Sequence, residues 1–160
     1  RLEYVQKEPF NVIVDYAHTP DALEKVYKTV KPQTGKLICV LGAAGGGRDT
    51  WKRPEFGKIA AKFCDEIILT NEDPYDENPA TILDDIETGF SQIRNSKFEI
   101  RNSKKILDRR DAIRESLKFA KLGDTVIITG KGAESWIMGA NGSKVPWDDR
   151  KVVREELEKL

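Results

Sequence analysis

Apolar residues are distributed along this chain in two alternating patterns, continuous short runs and helical spacing. Short runs rich in Val, Ile and Leu predict strands, whereas apolar residues three or four positions apart predict helices. The predicted strands are 11–17, 36–42, 66–70, 98–101 and 125–129. The predicted helices are 20–30, the segments from Phe56 to Phe63 and from Ile82 to Ile93, a segment behind Asp108, and 148–160. The predicted N-caps are Thr19, Asn78 and Asp108, because their side-chain oxygens suit that position.

Strands that alternate with helices are typical of βαβ units, which build a mostly parallel sheet with helices on both faces. The strands are apolar along most of their length, as expected of strands buried on both sides. A chain of 160 residues suits one domain with a substantial core. We therefore predict an α/β domain with a mostly parallel sheet of about six strands. In such sheets ligands bind at the carboxyl ends of the strands.

The balance of positive and negative residues bears on which partners the protein can bind. The 27 Lys and Arg residues equal the 27 Asp and Glu residues in number, which argues against a nucleic-acid or anionic-membrane binder. A local basic pocket for a small anion remains compatible with that balance. The sequence has no apolar run of membrane length, so we expect no membrane partner. It opens with Arg rather than Met, as expected of a fragment of a longer chain.

The two cysteines lie in apolar segments and far from any metal-binding spacing. Cys39 follows Leu-Ile, and Cys64 follows Lys-Phe. The sequence has no Cys-x-x-Cys pair and no Cys/His cluster, so no metal site is predicted. We expect two buried, unpaired thiols, which would fit a reducing cytosolic compartment.

The first polar loop follows strand 11–17 and contains Asp15 and the only histidine, His18. A carboxylate at a strand end can accept hydrogen bonds from ribose hydroxyls, and a histidine there can meet a phosphate. The alternative is structural: Asp15 caps the following turn, and His18 is a packed or exposed loop residue. Spacing alone does not decide between the two.

The second loop, Gly42-Ala-Ala-Gly-Gly-Gly-Arg-Asp-Thr-Trp-Lys-Arg, combines four glycines with three cations. Glycines permit positive φ and close backbone approach to a ligand. It is not a Walker loop, because no Gly-Lys-Ser/Thr follows. Although a flexible solvated turn is the alternative, the composition favours an anion site. The candidate anion contacts are Arg48, Lys52 and Arg53.

Two more polar loops follow the strands 66–70 and 125–129. Asn71-Glu-Asp-Pro-Tyr-Asp-Glu-Asn-Pro could hold an ammonium group or a metal, although its spacing does not match a calcium loop. A solvated turn before a helix cap is the simpler interpretation. Gly130-Lys-Gly-Ala-Glu could present amides and Lys131 to an anion, and Glu134 to an amine. The four loops should converge at one edge of a parallel sheet.

Together these segments resemble the C-terminal domain of the Mur ligases. The resemblance rests on Val14-Asp-Tyr-Ala-His-Thr-Pro-Asp-Ala-Leu, Gly47-Arg-Asp with Lys52-Arg-Pro, 70–79, and Gly130-Lys-Gly-Ala-Glu. It implies a Rossmann-like domain, residues 1–160, which is the third of three domains in a cytoplasmic, monomeric, ADP-forming ligase. Within the family, the sequence resembles the members that add the third residue to UDP-N-acetylmuramoyl-dipeptide during peptidoglycan synthesis. The absent domains would hold the UDP-sugar, the P-loop and most of the Mg²⁺ contacts.

The resemblance also implies roles for individual residues, none of them catalytic in this domain. Asp15 and His18 match nucleotide-facing positions for ATP, and Arg48 matches the arginine that holds the incoming amino acid. The positions matched to that amino acid's remaining contacts are Asp73, Tyr75, Gly130 and Glu134, with Lys131 as a further anion contact.

The sequence departs from diaminopimelate-adding members at two of these positions. Tyr75 stands where those members carry an arginine, and a tyrosine cannot replace the bidentate fork that reads a distal carboxylate. Ala133 stands where they carry a histidine. Since the nearby loop is acidic, we expect an amino acid with a cationic side chain, such as L-lysine, in preference to diaminopimelate.

Two other functions share some of these features. A folate- or cyanophycin-type ligase would share the fold, although the order and spelling of the four motifs disfavour it. A non-catalytic nucleotide-binding or interaction module would explain the missing P-loop. An upstream Gly-Lys-Thr/Ser P-loop would distinguish a ligase from such a module.

Overall fold

The computed structural model describes residues 2–92, 102–132 and 135–160. The strands of its main sheet are β1 (Glu3–Gln6), β2 (Asn11–Asp15), β3 (Leu37–Leu41), β4 (Glu66–Leu69), β5 (Ser103–Lys105) and β6 (Thr125–Thr129). Their order is β1-β2-β6-β3-β4-β5. β1 is antiparallel to β2, and the other neighbours are parallel. The predicted six-stranded, mostly parallel sheet is therefore confirmed.

Within the described ranges, five α-helices connect or cover these strands: α1 (Pro20–Val30), α2 (Lys52–Phe63), α3 (Pro79–Glu87), α4 (Arg109–Phe119) and α5 (Asp149–Glu158). The three predicted N-caps are confirmed, because Thr19, Asn78 and Asp108 each accept a backbone N–H from the first turn. In the described part of the chain, no helix is long and apolar enough to cross a membrane.

The helices form a layer on each face of the sheet. Buried side chains of α1, α2 and α3 share one apolar cluster, and those of α4 and α5 share the other. Alternate residues of one strand enter different clusters: Cys39 and Leu41 pack with the first, and Ile38 and Val40 with the second. This period of two explains why β3 is apolar at every position and why β2 and β6 are apolar at their three middle positions.

β6 lies between β2 and β3, although it is the last of the parallel strands in the chain. Its Thr129 is in register with Asp15, and Leu41 of β3 is in register with Leu69 of β4. The carboxyl ends of these strands consequently lie along one edge. They lead into the loops 16–19, 42–51, 70–78 and 130–132, so the predicted convergence of four polar loops at one edge is observed.

The structure differs from the predicted elements in several places. The helix predicted to reach Ile93 ends at Glu87 and is followed by a 3₁₀ turn at Phe90–Gln92, while Ile93 lies outside the described residues. The strand predicted at 98–101 also lies outside them, and the edge strand is β5. Leu160, predicted on the buried side of the last helix, is 59% exposed, because that helix ends at Glu158.

A small hairpin of β7 (Trp136–Met138) and β8 (Lys144–Pro146) was not predicted. Its strands have three residues each, too few to show a strand period, and β8 is exposed at every position. The turn between them contains Asn141 and Gly142, both with positive φ. An Asn-Gly pair is a strong local hairpin signal and could have identified it.

The prediction of unpaired thiols is wrong, because Cys39 and Cys64 form a disulfide. Cys39 lies in β3, and Cys64 is the C-cap of α2, which returns along the sheet and ends over that strand. The two Cα atoms are 6.2 Å apart, within the usual range for a disulfide. Both residues are buried as expected. Their pairing depends on where α2 ends in space, which local sequence does not show.

Candidate functional site

A cavity of about 560 Å³ lies at the carboxyl edge of the sheet. The loops after β2, β3 and β4, together with the first turns of α2, contribute its walls. The lining residues are His18, Ala43, Ala44, Gly45, Gly46, Arg48, Asp49, Lys52, Arg53, Phe56, Glu72, Tyr75 and Asp76. Three of the four predicted loops thus meet at one space, as expected for an open α/β sheet. The fourth loop, 130–132, lies against Glu72 behind the wall.

The glycine-rich loop is shaped by its contact with the acidic loop. Gly45 donates its backbone N–H to the carbonyl of Asp73 at 2.6 Å. A Cβ at Gly45 would collide with the carbonyl oxygen of Pro74, so only glycine permits this approach. Gly46 and Gly47 both have positive φ. Gly45 therefore serves packing between the two loops, and a role of the glycines in ligand access stays a prediction.

Arg53 contacts protein carboxylates rather than the predicted external anion. Its Nη1 donates to Glu77 Oε2 at 2.9 Å and to Asp85 Oδ2 at 3.0 Å. Its Nη2 donates to Glu77 Oε1 at 2.8 Å and to the carbonyl of Ala44 at 3.2 Å. The hydrogen bond to Glu77 raises the pKa of Arg53, and the same bond lowers the pKa of Glu77. The prediction of an anion contact at Arg53 is thus corrected to an internal ion pair.

Arg48 and Lys52 remain the cations available at the cavity. Lys52 Nζ is 3.5 Å from Asp49 Oδ2 in an ion pair that is open to solvent. Arg48 directly follows Gly47 in the glycine-rich loop, lines the cavity and is exposed. Among the residues that the structure describes, none forms an ion pair with Arg48. A guanidinium in this position can bind a carboxylate through two parallel hydrogen bonds.

Lys131 and Asp73 form a buried pair with each other. Lys131 Nζ lies 2.9 and 3.0 Å from the two carboxylate oxygens of Asp73. The backbone N–H of Met138 also donates to Asp73 Oδ1, at 2.8 Å. The anion contact of Lys131 is therefore a carboxylate of the protein itself, and Asp73 links the loops after β4 and β6 to the hairpin.

The acidic loop is held on both sides and is not the solvated turn that the sequence suggested as the simpler interpretation. Tyr75 has a φ of +52° and donates its N–H to the carbonyl of Met138 at 3.1 Å. Asp76 Oδ1 accepts the N–H of Asn141 at 2.7 Å. These contacts place the ring of Tyr75, 40% exposed, at the mouth of the cavity.

Of the two residues predicted in the loop after β6, the structure describes Gly130 but not Glu134. Gly130 has a φ of +108°, and a Cβ there would lie 2.5 Å from Glu72 Oε2. Glycine at this position therefore lets the chain turn beside the carboxylate of Glu72. Glu134 lies outside the described residues, so its predicted contact with the amino acid stays a prediction.

Asp15 and His18 occupy different positions relative to the cavity. Asp15 Oδ1 accepts the N–H of Ala17 at 2.8 Å, which is the turn-capping arrangement considered above, and Asp15 is not among the lining residues. His18 is exposed, lines the cavity, and its ring lies 4.5 Å from that of Tyr16. Their contacts with ATP stay predictions.

Arg109 is a site-building residue that the sequence analysis missed. It forms a buried two-bond ion pair with Asp149, at 2.9 and 2.8 Å. It also donates to the carbonyls of Asn71 and Thr129, where β4 and β6 end. A cation at the first position of a helix opposes the helix dipole, and this anomaly was the available signal. The pair anchors two of the strand ends from which the site loops start.

The comparisons with known proteins cover the whole chain. The family described as Mur ligase, glutamate ligase domain, matches residues 1–132. A UDP-N-acetylmuramoyl-L-alanyl-D-glutamate--2,6-diaminopimelate ligase of Aquifex aeolicus (strain VF5) is 47% identical over 98% of this chain and 31% of its own length. A UDP-N-acetylmuramyl-tripeptide synthetase of Roseiflexus sp. (strain RS-1) is 42% identical over 100% of this chain and 31% of its own length.

A solved structure of a UDP-N-acetylmuramoyl-L-alanyl-D-glutamate--2,6-diaminopimelate ligase also shares the fold. It superposes with a TM-score of 0.86 at 34% identity, over 99% of this chain and 31% of that protein. The chain thus spans about a third of the length of the relatives that it matches.

Proposed function

The chain belongs to the Mur ligase family, and from that premise we propose that it is the C-terminal domain of an ADP-forming ligase that adds the third residue to UDP-N-acetylmuramoyl-dipeptide. The observation that carries the proposal is the cavity at the carboxyl edge, with Arg48 on a glycine-rich loop and unpaired within the described residues. In the reaction, ATP phosphorylates the dipeptide carboxylate, the amine of the incoming amino acid attacks the acyl phosphate, and phosphate leaves.

In this proposal the domain contributes substrate positioning. Arg48 binds the α-carboxylate of the amino acid, and the loop after β2 faces the nucleotide. Holding reactants in a productive geometry can supply up to roughly 7–11 kcal/mol of the barrier reduction. The described residues contain no group of three or more His, Cys, Asp or Glu side chains that could hold a metal ion. We therefore assign the Mg²⁺ that accompanies ATP to the rest of the enzyme.

The identity of the amino acid depends on the cavity wall around Tyr75. Glu72 and Asp76 are acidic-loop carboxylates that line the cavity, whereas Asp73 and Glu77 are not among its lining residues and pair with Lys131 and Arg53. We propose a substrate with an amino group on its side chain. Tyr75 favours L-lysine, whereas the name of the Aquifex aeolicus relative favours 2,6-diaminopimelate.

A direct comparison of the two amino acids tests this point in the full-length enzyme. We expect a higher kcat/KM for L-lysine than for meso-diaminopimelate at fixed ATP and UDP-dipeptide. Tyr75→Arg should shift the ratio toward diaminopimelate by supplying a bidentate partner for the distal carboxylate, and Tyr75→Phe should leave the ratio unchanged. A preference of the unmodified enzyme for diaminopimelate would contradict the assignment and make Lys52 the cation that reads that carboxylate, since Arg53 and Lys131 are internally paired.

We also propose that the full-length enzyme is a cytoplasmic monomer, as the family resemblance implies. The substrates of the proposed reaction, ATP and a UDP-linked dipeptide, support a cytoplasmic location. The cysteines do not support it, because Cys39 and Cys64 form a disulfide instead of two free thiols.

A further inference from the structure

The orientation of Arg48 depends on a loop that has few side chains of its own to define its shape. Gly45, Gly46 and Gly47 precede it, and the last two have positive φ. A run of glycines is flexible unless outside contacts constrain it. The base of the loop is constrained by the hydrogen bond from Gly45 to the carbonyl of Asp73. Its tip, next to Arg48, needs a separate anchor.

Glu77 supplies the contact at the tip. Its Oε1 accepts the backbone N–H of Gly47 at 2.7 Å and, on the same oxygen, Arg53 Nη2 at 2.8 Å. Its Oε2 accepts Arg53 Nη1 at 2.9 Å. The two-bond contact with Arg53 fixes the plane of the carboxylate, and this plane determines where Oε1 meets Gly47.

Arg53 also contacts the other end of the same loop. It donates to the carbonyl of Ala44, while its side chain is 3% exposed. The guanidinium therefore lies between the start of the loop and the carboxylate that holds its tip. A buried, bidentate arginine is well suited to this because its donors are rigidly arranged.

We propose that Glu77 is a positioning residue, which is held by Arg53 and fixes Gly47 so that Arg48 is oriented toward the incoming amino acid. The inference rests on the proposed function in one respect, namely that Arg48 binds the carboxylate of that amino acid. The effect of Glu77 on the loop itself does not depend on any activity. Neither Glu77 nor Arg53 touches the substrate in this scheme.

The chain offers a matched control in Asp85. It is the other carboxylate that Arg53 contacts, at 3.0 Å, but it forms no hydrogen bond with the glycine-rich loop in the described residues, and it is 42% exposed. Glu77→Gln and Asp85→Asn each remove one negative charge beside Arg53. Only the first variant changes the acceptor of the Gly47 N–H, and because an amide has a single accepting oxygen it cannot keep the two-bond contact with Arg53 that fixes that acceptor.

The first measurement is hydrogen–deuterium exchange of peptides from 42–51 in the full-length protein without substrates. We expect Glu77→Gln to speed exchange in this segment about tenfold, as the loss of one hydrogen bond to a charged group implies. Asp85→Asn should leave it unchanged. If Glu77→Gln does not fold, Glu77→Asp serves instead, because it keeps the charge but is one methylene too short to hold Arg53 and Gly47 together.

The second measurement determines the KM for the amino acid and the KM for ATP separately, in the same full-length enzyme. Glu77→Gln should raise the KM for the amino acid about tenfold, with the KM for ATP within twofold of its original value, and Asp85→Asn should change neither. Equal exchange in both variants would overturn the positioning role of Glu77. Faster exchange with an unchanged KM for the amino acid would keep the loop contact but overturn the assignment of Arg48 to that substrate.

Discussion

At the scale of single residues, the charges around the cavity divide by whether the protein itself satisfies them. Buried Arg53 pairs with Glu77, which is 27% exposed, and Lys131 pairs with Asp73 in the interior. Arg48 stays exposed at the cavity. Breaking a buried pair leaves a charge without a partner and is strongly destabilising. Substitutions in the Lys131–Asp73 pair should therefore affect folding first, and those at Arg48 should affect binding first.

Asp15 allows a test of its structural and nucleotide roles in the same experiment. Asp15→Ala removes the acceptor of the Ala17 N–H and any hydrogen bond to ribose, and the loss of a bond to a charged group costs about 1.5–3 kcal/mol. We expect the KM for ATP of the full-length enzyme to rise at least tenfold. Asp15→Asn keeps an oxygen for Ala17 and should restore the melting temperature. An unchanged KM and kcat in Asp15→Ala would leave Asp15 with turn capping alone.

The sequence was sufficient to place the candidate residues in loops at one sheet edge, but not to decide what each side chain contacts. The partner of Arg53 lies 24 positions away and that of Lys131 lies 58 positions away. The partners come into contact only when the sheet and the helices are assembled. Local composition therefore identified a cationic loop and an acidic loop, while the pairing between them depended on tertiary structure.

At the scale of elements, α4 and α5 are joined by a charge cluster around the buried carboxylate of Glu156. Hydrogen bonds from Arg114, Arg110 and Lys159 reach this carboxylate at 2.7, 2.8 and 3.1 Å. They lower its pKa to about 2, with Arg114 as the largest cause. A carboxylate with a depressed pKa in the folded state stabilises the fold above its unfolded pKa, which is about 4.3.

This cluster predicts a specific dependence of stability on pH. As pH falls from about 4.3 to about 2, the contribution of Glu156 should disappear. In urea unfolding, Glu156→Gln should therefore be less stable than the unmodified chain at pH 7, and the difference should shrink steadily to near zero at pH 2. Glu155→Gln is the control, because Glu155 is 40% exposed and such pairs contribute little. A difference that stays constant with pH would argue against the ion cluster.

The disulfide predicts an effect of reductant on stability. It closes a span of 25 positions between β3 and the end of α2, for which chain entropy gives about 3.5 kcal/mol. Adding a reductant should lower the free energy of unfolding by about this amount. A chain with Cys39→Ala and Cys64→Ala should not respond. Titration of two free thiols in the native, unreduced protein would show that the cysteines are unpaired.

At the scale of the whole molecule, the periodicity of apolar residues was sufficient to predict the sheet and helix layers. Continuous apolar strands alternating with capped amphipathic helices have few other compact arrangements. The position of β6 between β2 and β3 was not predictable in this way, since strand order depends on long-range pairing. Neither was the hairpin after β6, because β8 is exposed at all three positions. Both features matter to the site, since they place Lys131 and Met138 behind the acidic loop.

In the proposed enzyme the groups that act on ATP phosphates lie in other domains, so this chain of 160 residues should be inactive by itself. It contains no Gly-Lys-Ser/Thr P-loop, the motif whose lysine reaches the β- and γ-phosphates of a bound nucleotide. We expect no phosphate release when it is mixed with ATP, Mg²⁺, UDP-N-acetylmuramoyl-dipeptide and L-lysine or diaminopimelate. The control is the full-length protein in the same assay, which should release phosphate only when all substrates are present. Substrate-dependent phosphate release by the chain alone would mean that the phosphoryl-transfer machinery lies within these residues, and the cavity beside Arg48 would then be the first place to look for it.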